Sequence, residues 1–338
     1  MPGDRMTWAV CACGVIVLVA EPLTIVLLRR LAVLDMPGTR SSHSVPTPRG
    51  GGVPIAVGLI VAVLIAPGGR VASPARLALA VAVALFGLLG LADDLRGLPA
   101  KSRLVLQAAG ASAVAAVLVA PFRLPAFELI AAAAVTAAWL AGFVNAFNFM
   151  DGVNGISGAH ALIGGVAYGC LAGWQRDGFG VASGLALAAG ACAFLPWNAG
   201  RARVFLGDAG SYSIGAALAV LAAHLVSLGV PVEAVAGPVA LSLADVAWTL
   251  QRRIRRGEPW LAAHRTHVYQ LWCDAGWSHQ EVTVLTSALT VLLCLLGVAG
   301  LFGGTPTRVA ADLAGLAALA VYLGSPAMFM KVKGGLAR

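Results

Sequence analysis

Four clusters of polar residues, each at the end of an apolar run of helix length, are the part of this sequence best suited to chemistry. They are Ala92–Leu95, Asn145–Gly152, Phe205–Ser211 and His264–His267. A charged side chain at bilayer depth costs at least ~2.5 kcal/mol, so acidic residues at the ends of apolar helices need a reason. Because the four clusters fall on the same predicted membrane face, they indicate a catalytic or transport site at the water interface.

The acidic residues of these clusters predict a bound divalent cation. Asp93 and Asp94 are adjacent, and two neighbouring carboxylates repel each other unless a cation or a base lies between them. Mg²⁺ prefers carboxylate and phosphate oxygens and keeps several waters, so we expect Mg²⁺ as the cofactor, with Mn²⁺ as the alternative. We predict Asp93, Asp94 and Asp208 as catalytic residues. Asp208 is the first choice of metal ligand and Asp151 the second, while a helix N-cap is the structural alternative for Asp208.

The segment before Asp151 predicts a surface for hydrogen bonding. Asn145, Asn148 and Asp151 follow one another at helical spacing and therefore share one face, beside a glycine turn. Buried amides without partners are expensive, so a role in binding a nucleotide or a sugar is favoured over a purely structural one.

Basic residues in two loops predict phosphate binding. Arg49 precedes the three glycines Gly50–Gly52, whose backbone amides would be able to approach a ligand closely, with Arg40 nearby. An ordinary kinked linker is the alternative for this loop. Lys101 and Arg103 follow the acidic pair and are predicted to neutralise phosphate charge.

The longest basic loop ends in a histidine pair. His264, Arg265 and His267 are predicted to bind phosphate or sugar oxygens, because no glutamate precedes the second histidine as metalloprotease chemistry requires. The arginines of 252–256 are read either as part of this site or as contacts for anionic lipid headgroups. Asp245, within an apolar run, marks either a functional site or a pairing with a nearby arginine.

The composition is that of an all-α integral membrane protein. Of 338 residues, 59% are hydrophobic and 11% charged, and the mean hydropathy is +0.86, whereas soluble domains carry about 25% charged residues. We predict one domain, 1–338, of about eleven transmembrane helices. The predicted spans are 7–28, 50–67, 77–92, 104–120, 126–144, 158–173, 179–197, 210–229, 231–250, 283–302 and 308–330.

The distribution of charge predicts the topology. With the N-terminus outside and the C-terminus cytoplasmic, the inner segments hold 17 of the 23 Lys and Arg residues. The net charge of +8 is explained by this bias, so no nucleic-acid partner is needed. Five of the six cysteines lie within apolar runs, which argues against a disulfide framework.

Taken in order from Asp35-Met-Pro-Gly to Tyr269-Gln270, the motifs resemble the polyprenyl-phosphate N-acetylhexosamine-1-phosphate transferases of glycosyltransferase family 4. The resemblance implies ten or eleven transmembrane helices and a magnesium-dependent site facing the cytoplasm, in the bacterial inner membrane. It also implies transfer of a sugar-1-phosphate from a UDP-N-acetylhexosamine to undecaprenyl phosphate. UMP is released, in the first membrane step of cell-surface polysaccharide synthesis.

The same resemblance assigns roles to particular residues. It places Asp93 and Asp94 by the lipid phosphate and makes Asp208 the magnesium ligand. It gives nucleotide-sugar and phosphate binding to the asparagine motif and the histidine loop. The His264–Gln270 sequence is similar to the O-antigen-initiating branch, whereas Asn154 stands where the family often has Asp. A transporter of an anionic solute is the alternative function, and the sugar and a homodimeric state are left open.

Overall fold

The computed structural model describes residues 2–37, 45–67, 72–259 and 264–336, which are almost entirely helical. The helices are α1 (Pro2–Arg30), α2 (Val53–Ile65), α3 (Ala72–Arg96), α4 (Ala100–Val119), α5 (Ala126–Phe149), α6 (Ile156–Trp174), α7 (Gly178–Asn198), α8 (Gly207–Ser227), α9 (Val232–Arg255), α10 (Val268–Asp274), α11 (His279–Phe302) and α12 (Thr305–Leu336). Two short strands, β1 (Leu34–Asp35) and β2 (Thr47–Pro48), pair antiparallel with Leu34 opposite Pro48.

The predicted all-α membrane bundle is confirmed, with two corrections. Within the described residues, ten helices are long and apolar enough to cross a membrane. The second predicted span, 50–67, is wrong in length, because α2 has 13 residues, about 20 Å of helix, against a hydrocarbon core of about 30 Å. The seven-residue α10 was not predicted, because two turns of helix are far too short to stand out as an apolar span. The orientation of the termini stays a prediction.

Helix α8 forms the centre of the bundle. Of its most apolar 18-residue window, 89% is buried inside the protein, against 17% for α5 and 22% for α1. A helix that is apolar on all sides and buried on all sides must be surrounded by other helices. Its first turn, which carries Asp208, is therefore placed where several helix ends meet.

Small residues allow the inner helices to approach closely. A Cβ atom on Gly165 of α6 would lie 2.6 Å from the Gly184 carbonyl oxygen of α7, and the reverse substitution is equally blocked at 2.7 Å. Between α3 and α8, a Cβ on Gly90 would lie 2.1 Å from the Asp208 carbonyl oxygen. Association of membrane helices depends on such close packing, since lipid tails are as apolar as the helices. The Gly90 contact fixes the height of Asp208 relative to the end of α3.

Candidate active site

The polar clusters lie at the ends of α3 and α5, at the starts of α4 and α8, and just before α10, so the up-and-down chain path brings them to one end of the bundle. Residues of these clusters, other than Asp93 and Asp94 at the end of α3, border a cavity there of about 440 Å³, a size typical of ligand sites. The predicted site residues that line it are Arg49, Arg103, Asn148, Asp151, Asp208, His264 and Arg265.

Asp208 accepts hydrogen bonds from two other residues that line this cavity. Its Oδ2 accepts from Arg49 Nη2 at 2.5 Å, and its Oδ1 accepts from Asn148 Nδ2 at 2.8 Å. Asn148 Nδ2 also lies 2.9 Å from Ser211 Oγ, one turn further along α8. The carboxylate is held by a cation and an amide while one edge still reaches the cavity, since 9% of its side chain is exposed.

Asp94 is placed behind Asp208. Its Oδ1 accepts from the Asp208 backbone N–H and from Arg49 Nε, at 2.9 and 2.7 Å, and its Oδ2 accepts from the Ala209 N–H at 2.9 Å. The Asp94 side chain is 0% exposed. Carboxylates are favoured at helix N-termini, where backbone N–H groups lack helical partners. The direct catalytic role predicted for Asp94 stays a prediction, but this position makes it a support for the first turn of α8.

Arg49 joins these two acids. Burial opposes the charge of its guanidinium, but the carboxylates of Asp208 and Asp94 outweigh burial and raise the pKa of Arg49 above its usual value. Arg49 therefore stays charged, and with its side chain 37% exposed it also presents positive charge to the cavity.

Asp93 faces a different set of partners. Its Oδ2 accepts from Arg103 Nη1 at 2.9 Å and from the Tyr212 hydroxyl at 3.1 Å, and its Oδ1 accepts from the Leu98 N–H at 2.8 Å. Adjacent carboxylates thus avoid repulsion because each has its own arginine: Arg49 for Asp94 and Arg103 for Asp93. Both arginines line the cavity.

The prediction that the amides of Gly50–Gly52 face a phosphate is wrong. Gly50 N and Gly51 N donate to the Phe205 carbonyl oxygen, and Gly52 N donates to the Leu206 carbonyl oxygen. The glycines instead permit contact between backbones, since a Cβ on Gly52 would lie 2.0 Å from the Cα of Gly210. This packing fastens the Arg49 loop to the start of α8. Arg40 lies outside the described residues.

Asp151 enters the cavity from the turn after α5. Burial raises the pKa of its carboxyl to about 7; Ser157 and Arg49 oppose this shift, while Asp208 and Asp94 add to it. Asp151 and Asp208 line one cavity and offer hard oxygen ligands, which fits Mg²⁺. Among the described residues no three metal-ligating side chains form a cage, so the remaining ligands would be waters and phosphate oxygens, as Mg²⁺ usually keeps.

The two histidines of this loop lie in different surroundings. His264 lines the cavity, and burial together with the charges of His267, Arg253 and Arg252 lowers the pKa of His264 to about 4. His267 is buried instead, its Nδ1 lying 2.9 Å from Asp245 Oδ1. The predicted substrate contact of His267 stays a prediction.

Asp245 pairs with no arginine in the described contacts. Besides His267, it accepts hydrogen bonds from the Val268 N–H at 3.2 Å and from the Tyr322 hydroxyl at 2.6 Å. It is 0% exposed and joins α9, α10 and α12. Asp245 therefore holds the segment that follows His264 in place, and it does not itself line the cavity.

Besides His267, two predicted binding residues are not among those lining the cavity. Asn145 Nδ2 donates to Gln107 Oε1 at 2.7 Å and to the Ala141 carbonyl oxygen at 2.8 Å, which ties α5 to α4. Lys101 is exposed at the start of α4. Their predicted contacts with substrate stay predictions.

Three further polar residues of the cavity were missed at the level of sequence. Asn198 accepts from the Gly155 N–H at 2.7 Å and donates to the Val204 carbonyl oxygen at 3.0 Å, so it holds two cavity loops together. Gln270 and Asp35 also line the cavity. The signal for Asn198 was its place at the end of an apolar run on the same face as the named clusters.

Comparison with known proteins identifies the family. Residues 76–226, which include Asp93, Asp151 and Asp208, match the model of glycosyl transferase family 4.

Relatives extend the match over most of the chain. A decaprenyl-phosphate N-acetylglucosaminephosphotransferase of Mycobacterium leprae is 30% identical over 80% of this chain and 78% of its own length. A probable undecaprenyl-phosphate N-acetylglucosaminyl 1-phosphate transferase of Bacillus subtilis is 26% identical, covering 78% and 76%. A phospho-N-acetylmuramoyl-pentapeptide-transferase of Geobacillus kaustophilus is 29% identical, covering 88% and 98%.

The acidic residues that the structure gathers at one end of the bundle thus fall within the region that the family model covers, and the similarity to relatives extends well beyond it. The chain belongs to glycosyl transferase family 4, within the superfamily of polyprenyl-phosphate N-acetylhexosamine-1-phosphate transferases.

Proposed function

We propose that the protein transfers an N-acetylhexosamine-1-phosphate from a UDP-sugar to undecaprenyl phosphate, at the cytoplasmic face of the bacterial inner membrane. The observation that carries this proposal is the cavity of about 440 Å³ in which two carboxylates, Asp151 and Asp208, meet Arg49 and Arg103. The names of the relatives support a polyprenyl-phosphate acceptor and an amino-sugar phosphate.

The chemistry is a displacement at phosphorus. An oxygen of the lipid phosphate attacks the sugar-bearing phosphorus of the donor, a new P–O bond forms, and the bridging P–O bond breaks, so that UMP leaves with the bridging oxygen. The lipid phosphate is largely ionised at neutral pH and needs little activation, so direct attack is favoured over a covalent enzyme intermediate. The problem that the protein must solve is the mutual repulsion of anions.

Different residues of the cavity would neutralise the negative charge of the two substrates. In this proposal Arg103, held by Asp93, would bind the acceptor phosphate, and Arg49 would bind the donor diphosphate; both arginines line the cavity. His264 and Arg265, which line the same cavity, would also contact the donor. Mg²⁺ held by Asp208 and Asp151 would neutralise diphosphate charge and improve UMP as a leaving group.

Asp245 does not support a transporter. Transport through broken helices needs charged groups near the middle of the membrane that face a solute path. Asp245 is instead fully buried and hydrogen bonded to His267 and Tyr322.

The test is magnesium-dependent labelling of lipid. Membranes with the protein, undecaprenyl phosphate and labelled UDP-N-acetylglucosamine should yield labelled lipid and UMP, and a panel of UDP-sugars then identifies the donor. Asp208→Asn should abolish turnover while the protein still folds in membranes. Asp312→Asn, on α12 and not among the residues that line the cavity, is the matched control. Wild-type turnover in Asp208→Asn would remove Asp208 from the mechanism, and labelling by no UDP-sugar would refute the function.

A further inference from the structure

Two carboxylates share the guanidinium of Arg49, and each contacts a different part of it. Arg49 Nε lies 2.7 Å from Asp94 Oδ1, whereas Arg49 Nη2 lies 2.5 Å from Asp208 Oδ2. The Asp94 side chain is 0% exposed and also accepts from two backbone N–H groups of α8, so its position is fixed. Asp208 is the partner that reaches the cavity. The guanidinium therefore has one contact inside the protein and one at the cavity.

The backbone of Arg49 is held in place, while the end of its side chain has room to move. The Arg49 N–H donates to the Val33 carbonyl oxygen at 3.1 Å, and the residue forms a β-bridge with Phe205, just before α8. The side chain is 37% exposed and borders the polar cavity. A rotation of the guanidinium would break its contact with Asp208 without any movement of the backbone or of Asp94.

Arg49 would compete with a metal ion for Asp208. Asp208 Oδ1 accepts from Asn148 Nδ2 at 2.8 Å, and Oδ2 is the oxygen that Arg49 contacts. Two cations on one carboxylate repel each other strongly in a partly buried site, where the effective dielectric constant is low. A diphosphate would relieve this repulsion, because its oxygens match the planar fork of N–H donors on a guanidinium.

We infer that Arg49 exchanges partners during binding: it neutralises Asp208 at first, and it turns to the donor diphosphate when Asp208 binds the metal. This inference rests on the proposed function, which supplies the metal and the donor. The exchange makes the metal and the donor bind cooperatively, because the metal releases Arg49 for the diphosphate and the diphosphate removes Arg49 from Asp208. Such coupling is reciprocal, so each ligand raises the affinity for the other by the same factor.

The test measures Mn²⁺ affinity by electron paramagnetic resonance, with and without UDP, in wild type and in Arg49→Met. Mn²⁺ prefers the same oxygen ligands as Mg²⁺, and UDP carries the diphosphate that all UDP-sugars share. Without UDP, Arg49→Met should bind Mn²⁺ about tenfold or more tightly than wild type, because the competing cation is gone. With UDP, that gain should vanish or reverse, since Arg49 then binds the diphosphate. An equal gain with and without UDP would show that Arg49 stays on Asp208 and would overturn the inference.

Two further variants serve as controls. Arg265 lines the same cavity but lies 3.2 Å from Asp274, so Arg265→Met should leave the Mn²⁺ affinity without UDP unchanged. Arg49→Lys keeps the positive charge and should bind Mn²⁺ without UDP as weakly as wild type. A gain in Mn²⁺ affinity in either control would overturn the inference and leave the proposed function in place. Absence of UDP binding to the wild type would instead refute the proposed donor, and this inference with it.

A measurement on the wild type guards against a folding defect in Arg49→Met. Phenylglyoxal modifies arginines whose guanidinium is accessible, and peptide mass spectrometry gives the rate at each position. Mn²⁺ alone should speed the modification of Arg49, and Mn²⁺ with UDP should slow it again. Arg103, which lies 2.9 Å from Asp93 rather than from a proposed metal ligand, should react at the same rate with and without Mn²⁺. A rate at Arg49 that Mn²⁺ does not change would overturn the inference.

Discussion

Replacement of Asp94 by Asn tests whether this carboxylate supports the first turn of α8 or acts as a catalytic base. The carboxylate accepts three hydrogen bonds, from Arg49 Nε at 2.7 Å and from the Asp208 and Ala209 amides at 2.9 Å each, and its side chain is 0% exposed. An Asn side chain keeps one acceptor oxygen and turns an NH₂ group toward an N–H donor. One hydrogen bond is therefore lost outright, and the buried ion pair with Arg49 is lost as well.

The size of the effect follows from those contacts. Removing one partner of a buried ion pair costs about 3–5 kcal/mol, and Arg49 keeps Asp208, so the lower part of that range applies. With an unfolding entropy of roughly 2 cal/mol/K per residue, about 3 kcal/mol corresponds to a fall in melting temperature of about 4–5 °C for a chain of this length. Turnover should fall with it, because Asp208 loses the group that holds its backbone.

The assay is thermal unfolding in detergent without substrates, followed by kinetics. Asp312→Asn, a half-exposed acid on α12, is the control and should leave the melting temperature unchanged. If Asp94→Asn lost all turnover at an unchanged melting temperature, Asp94 would act as a base or nucleophile, and the supporting role argued from its burial would be refuted.

Three further substitutions test other parts of the site. Gly90→Ala should prevent folding or abolish turnover, because its Cβ would lie 2.1 Å from the Asp208 carbonyl oxygen; expression and activity measure this. Tyr212→Phe removes one hydrogen bond to Asp93 and should lower kcat about tenfold, with KM for the donor unchanged, in steady-state kinetics. His264→Gln should make thermal stability fall less than in wild type between pH 6.5 and 4. The folded-state pKa of His264 is lowered to about 4, so the unfolded chain takes up the proton first as the pH drops.

Gly90→Ala has a control variant, and each of the three predictions has an outcome that would contradict it. Gly87→Ala, one turn before Gly90, meets Ser213 at an ordinary 3.5 Å and should be tolerated. If Gly90→Ala is equally well tolerated, the contact between α3 and α8 is not what fixes the height of Asp208. A Tyr212→Phe enzyme with wild-type kcat would show that Arg103 and the Leu98 amide suffice for Asp93. Parallel pH curves for wild type and His264→Gln would contradict the lowered pKa.

Much of the architecture was readable from the sequence, because hydrophobic runs report helices directly. The apolar composition predicted the membrane bundle, and ten of the eleven spans are helices of sufficient length. The exception, α2, shows the limit of that reading. Gly50–Gly52 read as part of an apolar run, although the three residues form a loop against the start of α8.

The candidate site was also partly predictable. Polar residues at helix ends are conspicuous in an apolar chain, and an up-and-down path places alternate ends together. The sequence therefore indicated that four acids converge: Asp93, Asp94, Asp151 and Asp208. It did not distinguish Asp93 from its neighbour Asp94, since the direction in which each carboxylate points depends on the packing of α3 against α8.

By itself, then, the sequence determined the class of protein, the helices, and the end of the bundle at which acids and arginines gather, because hydrophobicity and charge act locally along the chain. The tertiary structure alone decided which side chain faces the cavity and which supports it. Asp94 and Asp245 are fully buried among donors from distant segments, while Asp208 reaches the cavity. The physical reason is that a buried carboxylate must find its hydrogen-bond donors, and those donors come from residues up to 115 positions away.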